Sequence, residues 1–179
     1  MLSEKTLSIL KKDGYYLAGV FTPRGLYTSS LPRKTKKEAV SEVNGRGLQI
    51  VNDEASLESL VAVLDVHEGK QDAAIEDVKL DFFGFTEKQI AVLKVVMQIP
   101  YGSTMAYGEV ARKAGFPGAA RFVGNVMRIN RLGPIIPCHR VVSATGLGGY
   151  TGGIDKKIDL LSREGVFTES FSRNPYIDI

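Results

Sequence analysis

Cysteine is almost absent from this 179-residue chain, with Cys138 standing alone, so no intramolecular disulfide can form and redox pairing is excluded. Histidine is nearly as scarce: His67 and His139 are the whole supply, and nothing has the spacing of a zinc site. No run approaches the roughly 18 consecutive apolar residues of a membrane helix, and no membrane partner is expected. Met1 to Lys12 lack the charged start, apolar stretch and cleavage site of a secretory signal, so the expected location is cytoplasmic. What is present is ordinary: 44% hydrophobic and 24% charged residues exclude wholesale disorder and a fibrous repeat. The length suits one large domain or two small ones.

One absence is local. Between Glu109 and Asp155 there is no acidic residue, while Arg112, Lys113, Arg121, Arg128, Arg131 and Arg140 all fall there. Cut near Gly84, the chain divides into residues 1–84 with 11 basic and 13 acidic side chains and residues 85–179 with 12 and 7. Uncompensated basic charge points to a polyanion, nucleic acid first. A merely solvated basic surface is the alternative.

The pattern predicts an α+β protein with domains over residues 1–84 and 85–179. In the first, Tyr15 to Thr22 and Leu26 to Ser30 read as a hairpin around Pro23-Arg24-Gly25. Lys34 to Val43 and Ser56 to Glu68 read as helices, Leu48 to Val51 as a short strand, and Val78 to Phe83 as a closing strand. This makes a small α/β domain, an antiparallel sheet with helices. The second reads as mainly helical and winged-helix-like. Thr86 caps a helix with Ile90, Leu93 and Met97 as its apolar stripe, ending at Pro100. Gly108 to Ala114 and Ala119 to Ile129, joined by Gly115-Phe116-Pro117-Gly118, form a helix-turn-helix pattern whose second helix carries Arg121 near its start. Any helical hairpin gives the same pattern.

The chemistry gathers at Ile135-Ile136-Pro137-Cys138-His139-Arg140-Val141-Val142. Apolar neighbours imply burial, and a buried structural cysteine is the default. A nucleophilic cysteine needs a base or positive charge beside it, and His139 and Arg140 offer both. On an extended chain adjacent side chains diverge, so a bridging water rather than a direct bond is expected between Cys138 and His139. Glu164 follows the predicted helix Ile154 to Arg163, where the helix dipole disfavours negative charge and a specific partner would explain it.

Pro137-Cys138-His139-Arg140 in this apolar setting resembles the active-site signature of the O6-alkylguanine-DNA alkyltransferases, or methylated-DNA–protein-cysteine methyltransferases. The resemblance extends through Ile99-Pro100-Tyr101-Gly102, Tyr107 to Ala111, Ala120 to Gly124 and Tyr150-Thr151-Gly152-Gly153. It implies a DNA repair protein, acting as a monomer on double-stranded DNA that contains O6-alkylguanine, chiefly O6-methylguanine. The alkyl group passes irreversibly to Cys138, and no cofactor is needed. By the same resemblance, His139 takes the thiol proton through a water, Glu164 orients the imidazole, and Tyr107 donates its hydroxyl to the guanine. Arg121 becomes the finger that replaces the flipped nucleotide. Asn130 joins the recognition helix to the active-site segment, and Tyr150, Thr151 and Lys157 face the base. Arg112, Lys113 and Arg128, with Arg131, supply phosphate contacts. Each has a plainer reading: Tyr107 as packing, Asn130 as a helix stop, Thr151 as a loop hydroxyl, Lys157 as an exposed helix charge.

The chain also departs from the family pattern. Arg131 replaces the usual proline after Asn130, and the pocket-lining proline is Gly133, with Pro134 one place on; a widened pocket, poorer with O6-benzylguanine, is expected. Phe122 replaces a small residue, and Ala106 removes an N-cap worth about 1 kcal/mol. The zinc cysteines of some members are missing, which predicts no structural metal. A cysteine hydrolase would have only His67 as a second histidine, an alkyltransferase-like lesion binder would lack the cysteine, and a helix-turn-helix regulator leaves Pro137 to Arg140 unexplained.

Overall fold

The computed structural model describes residues 4–70 and 75–166; residues 167–179 of the predicted second domain lie outside them. The fold is mixed α+β, and the chain forms two compact units. One comprises Met1–Gly84 with Arg131–Ile135, the other Phe85–Asn130 with Ile136–Ile179. The return of Arg131–Ile135 to the first unit has no counterpart in the sequence reading.

The first unit is a four-stranded sheet in the order β3-β2-β1-β4. β1 (Thr6–Lys12), β2 (Tyr15–Thr22) and β3 (Gly25–Ser29) form an antiparallel meander, while β4 (Gln49–Ile50) pairs parallel with β1. The sheet is therefore mixed rather than purely antiparallel. β2 is central and buried on both faces, which its run of small and apolar residues permits. Ala18 and Val20 pack with Ala39 and Val43 at helix α1 (Lys36–Glu42). On the alternate face, a Cβ at Gly19 would lie 2.9 Å from Leu60 of helix α2 (Glu54–His67), so the glycine is what lets α2 approach. Thr35 and Glu38 close a capping box on α1, and Asp53 caps α2. The predicted strand Val78 to Phe83 reduces to one bridge, Leu26 to Leu80. Its backbone hydrogen bonds stop there because Asp81 turns its carboxylate onto Thr22, Arg24 and the Phe83 N–H.

The second unit is mainly helical. Helix α3 (Glu87–Met97) starts at a Thr86–Gln89 capping box, and its fully buried stripe is Val92, Leu93 and Val96 rather than Ile90, Leu93 and Met97. Helices α4 (Tyr107–Lys113) and α5 (Ala120–Arg128) follow, joined by a turn in which Gly115 and Gly118 take positive φ. Val110, Ala111, Val123 and Val126 bury the contact between them. Ala106 makes no side-chain cap on α4, as its methyl requires. Strand β5 (Met105–Ala106) pairs parallel with β6 (Val141–Val142), and helix α6 (Ile154–Arg163) closes the described chain.

Candidate active site

Cys138 opens a single 3-10 turn, Cys138–Arg140, directly before β6. The segment is not extended as read from sequence, because Pro137 sets the turn and the Arg140 N–H donates to the Pro137 carbonyl at 2.9 Å. In such a turn successive side chains still diverge. His139 and Arg140 point into the protein, 1% and 8% exposed, and Cys138 lines a cleft of about 740 Å³. Tyr107, Arg121, Arg128, Tyr150 and Thr151 line the same cleft, with Ala120, Gly124, Asn125, Met127 and Gly149 among the other described residues around it. Six predicted site residues therefore share one cavity. Gly133 and Pro134 are not among its described lining residues; the Gly133 carbonyl accepts from Ser29 Oγ at 3.2 Å in the first unit.

Behind the cleft lies a buried polar cluster. Glu164 is 6% exposed and caps the C-terminal end of α6, where its charge opposes the dipole. His139 Nε2 lies 2.8 Å from Glu164 Oε1. Arg140 Nε donates to both Glu164 oxygens at 3.1 and 2.9 Å, Nη2 donates to Oε1 at 2.9 Å, and Nη1 reaches the Ile99 carbonyl at 2.8 Å. Burial pushes the Glu164 carboxyl up, but the hydrogen bonds from His139 and Arg140 outweigh it and hold the group below the usual carboxylate range. An ionised Glu164 only accepts, so the His139 Nε2–H donates to it and Nδ1 is the free basic nitrogen. Burial, opposed by Glu164, holds the His139 imidazole below its ordinary value, which keeps it neutral at pH 7 and able to take a proton.

The sequence reading offered Arg140 to the cysteine as its positive charge. Its guanidinium is committed instead to Glu164 and Ile99, and Lys157 takes the place near the thiol. Lys157 is fully buried, 0% exposed, not the exposed helix charge its pattern allowed. Its ammonium donates to the carbonyls of Val141 at 2.6 Å, Leu147 at 2.5 Å and Gly149 at 3.3 Å. Burial lowers it to about 8, opposed by the charge of Cys138. At the thiol itself, burial raises the titration point, while a hydrogen bond from Asn130, the charge of Lys157 and the backbone N–H groups of Cys138 and His139 pull it down. Asn130 also donates from Nδ2 to the Ile136 carbonyl at 3.0 Å, bringing the end of α5 to the cysteine turn.

The Gly149 carbonyl is shared. It accepts the Tyr107 hydroxyl at 3.3 Å as well as Lys157, so one loop atom fixes a side chain from α4 and another from α6. A Cβ at Gly148 would lie 2.8 Å from the Tyr107 ring, and its φ is +68°; only glycine allows the loop this close. Tyr107 and Tyr150 are both raised above the ordinary phenol value by burial and by the nearby cysteine, so both remain donors at neutral pH. Arg121 is exposed at the start of α5, and Arg128 at its end. Arg112 and Lys113, exposed positions of α4, are not among the described residues lining the cleft and lie 4.0 and 3.7 Å from Glu109. Arg131 is not available to phosphate: it donates to carbonyls of Tyr27, Asp81 and Phe83 in the first unit.

Among the described residues no histidine, cysteine and carboxylate cluster could hold a metal ion. No described helix is long and apolar enough to cross a membrane.

Known proteins resemble this arrangement. Residues 87–166 match the family model for the 6-O-methylguanine DNA methyltransferase DNA binding domain. A methylated-DNA–protein-cysteine methyltransferase of Mycobacterium bovis is 51% identical over 89 residues, which span 49% of this chain and 53%, about half, of that relative. The protein of the same description from Methanocaldococcus jannaschii is 32% identical over 173 residues, 93% of this chain and 98% of its own. The crystal structure of Mycobacterium tuberculosis OGT in complex with DNA superimposes with a TM-score of 0.69 at 29% identity, covering 93% of this chain and 98% of that one. With a full-length relative above 30% identity and a cysteine turn of this build, the chain belongs to the methylated-DNA–protein-cysteine methyltransferase family.

Proposed function

We propose that the protein repairs DNA by moving the alkyl group of O6-alkylguanine, chiefly the methyl of O6-methylguanine, onto Cys138, once per molecule. The single observation that carries this reading is the placement of the only cysteine. It faces a cleft wide enough for a base, with a neutral His139 held by ionised Glu164 behind it.

In the step itself the Cys138 proton passes to His139 Nδ1 through a water, and the thiolate attacks the alkyl carbon. An S–C bond forms as the C–O6 bond breaks, and the electron pair leaves on the guanine. Tyr107 donates its hydroxyl hydrogen bond to that developing charge. Asn130 and Lys157 lower the cost of the thiolate before attack, and Arg140 keeps Glu164 ionised so that the imidazolium formed is stabilised. Tyr150 and Thr151 face the base in the cleft. No metal or cofactor enters. The thioether product has no leaving path, so the protein is consumed.

Geometry around the cleft supports this choice of partner. O6 lies inside the stack of a duplex, so the nucleotide must be extruded to reach Cys138. Arg121, exposed near the start of α5 and lining the cleft, would fill the space the nucleotide leaves. Arg128, Arg112 and Lys113 are exposed on the same pair and suit phosphate. The second unit thus acts as the DNA-binding and alkyl-acceptor domain of a monomer.

The test mixes the protein with a duplex carrying one O6-methylguanine and weighs its peptides. Gain of one methyl on the peptide containing Cys138, with unmodified guanine left in the duplex, supports transfer. Cleaved DNA, or a methyl on no residue, overturns it.

A further inference from the structure

The mechanism leaves Arg131 unused, yet it is among the most heavily engaged side chains in the molecule. The chain leaves the second unit at Asn130, passes through Arg131–Ile135 in the first, and re-enters at Ile136, immediately before Pro137 and Cys138. This excursion is pinned along β3. Arg131 Nε donates to the Tyr27 carbonyl at 2.9 Å, the Thr28 hydroxyl donates to the Arg131 carbonyl at 3.0 Å, and Ser29 Oγ donates to the Gly133 carbonyl at 3.2 Å. β3 is an edge strand of the sheet, and beyond its bridge at Leu26 its outer side is where a passing segment can be held.

The same guanidinium reaches further. Nη2 donates to the Asp81 carbonyl at 3.1 Å and to the Phe83 carbonyl at 2.7 Å, and Cζ lies 4.1 Å from the centre of the Tyr27 ring. Asp81 and Phe83 directly precede Gly84, where the chain first leaves this unit. One side chain therefore ties the departing segment and the returning one to the same strand. Three carbonyl acceptors and a ring face suit the planar fork of arginine, and an ammonium cannot reproduce that set.

At the other end the excursion is closed by Asn130 Nδ2, which donates to the Ile136 carbonyl at 3.0 Å and whose side chain also bonds the Cys138 thiol. Asn130 and Cys138 are the two ends of one covalent path through Arg131–Ile135. Besides the Asn130–Ile136 bond, the conformation of that path restrains their spacing. We propose that Arg131 is a positioning residue: by clamping the excursion to β3 it keeps the Asn130 side chain on the Cys138 thiol.

The remaining groups that face Cys138 belong to other elements: Lys157 on α6, Tyr107 on α4, and Tyr150 in the preceding loop, with His139 on its own turn. Loosening the excursion withdraws Asn130 and leaves those in place. The thiol then loses one of its stabilising hydrogen bonds, and it should titrate higher.

The test uses the full chain. Cys138 is the only cysteine, so its alkylation by iodoacetamide, followed by intact mass between about pH 6 and about 10, reads the thiolate fraction at one site. In Arg131→Ala the midpoint should move up by about one pH unit, equivalent to about tenfold less thiolate at neutral pH. Thr28→Val, which keeps side-chain shape and removes one anchor, should move it the same way by less, and serves if Arg131→Ala does not fold. Arg131→Lys should behave like Arg131→Ala. The control is Ser56→Ala, which breaks a 2.8 Å bond to Ser8 in the same unit; it should lower the melting temperature and leave the midpoint alone.

A folded Arg131→Ala with the parent midpoint, an unmoved Thr28→Val where Arg131→Ala is unfolded, or an equal shift in Ser56→Ala would reduce Arg131 to a structural residue and overturn the proposal. The inference rests on the function proposed above only for its effect on repair, which should fall about tenfold with the thiolate. A parent chain that reacts with iodoacetamide but accepts no methyl would sink that function and leave the positioning test intact.

Discussion

Among the described residues the first unit buries three serines and an aspartate, whereas the second buries a histidine, an arginine, a lysine and a glutamate. In the first unit the serines bond backbone or one another: Ser30 Oγ accepts the Ala18 N–H at 2.9 Å, and Ser8 donates to Ser56 at 2.8 Å. Such neutral groups cost little once bonded. Asp81 is paired with Arg24, but that arginine keeps 48% of its side chain in water, so its charge remains solvated if the partner is lost. In the second unit each buried ionic group costs several kcal/mol to desolvate, and three of them, Arg140, Lys157 and Glu164, gather with neutral His139 behind one thiol. A fold that needed only cohesion would fill that space with apolar side chains. On the function proposed above, the difference separates polar groups that hold a structure from polar groups that prepare a reaction.

The comparison breaks most visibly at the thiol. Cys138→Ser should abolish methyl transfer to below detection, because a serine hydroxyl does not ionise near neutral pH, while affinity for duplex DNA stays within about twofold, since the phosphate contacts belong to other residues. Ser56→Ala, buried in the first unit, should leave transfer unchanged. Single-turnover transfer and DNA binding measured on both variants check this; a serine variant that still demethylates would remove Cys138 from the mechanism.

Next in size is the matched pair of carboxylates. Glu164→Gln leaves buried Arg140 without its counter-charge and should cost about 3–5 kcal/mol of stability. Asp81→Asn should cost much less, because Arg24 stays solvated without its partner. The pH dependence gives a second handle. Both carboxylates are held below their usual range, so their contributions are fully present above roughly pH 4.3 and are lost as pH falls through the lowered native values. Urea unfolding across acid pH should therefore show the parent losing stability on acidification, with Glu164→Gln much flatter. Equal losses in the two variants would erase the distinction between the units. Transfer should fall in Glu164→Gln alone, through loss of the His139 tautomer.

What the sequence made legible, and what it hid, follows the same division. The helices of the second unit were readable because their caps and turn glycines are local signals: Thr86, Gly115 and Gly118 act within a few residues. Cys138, His139 and Glu164 were readable because chemistry and a misplaced charge mark them. β1 went unread because Thr6–Lys12 alternates weakly, and its place is decided by pairing with β2. Arg140 was assigned to the thiol because linear adjacency hides direction; a buried arginine must have a carboxylate, and Glu164 was the unexplained one. Lys157 looked solvent-facing because the three carbonyls it binds come from β6 and the loop after it. Arg131 was counted with the DNA-facing arginines because a charge run carries no record of which member turns back.

Arg121 tests the cleft against the duplex. Arg121→Ala should slow repair in duplex DNA about tenfold to a hundredfold, the value of one to three kcal/mol toward extruding a nucleotide. Reaction with the free modified base should hardly change, since nothing is extruded. Rates on the two substrates decide it: an equal loss on both would place Arg121 inside the pocket rather than at its entrance.

The smallest effect discriminates between two arginines only three residues apart. Releasing counterions from duplex DNA lowers log K against log salt with a slope near −0.9 per phosphate contact, so two or three contacts among Arg112, Lys113 and Arg128 give a slope of roughly −2 to −3. Arg128 is exposed at the end of α5 on the cleft, and Arg128→Ala should make the slope shallower by about 0.9. Arg131 has its guanidinium on the carbonyls of Tyr27, Asp81 and Phe83, so Arg131→Ala should leave the slope where it was, even as it slows repair. Fluorescence anisotropy of a labelled duplex, titrated at several salt concentrations, measures both slopes. If Arg131→Ala loses a contact as Arg128→Ala does, its side chain leaves those carbonyls for phosphate when DNA is bound, and the basic stretch acts as one surface after all.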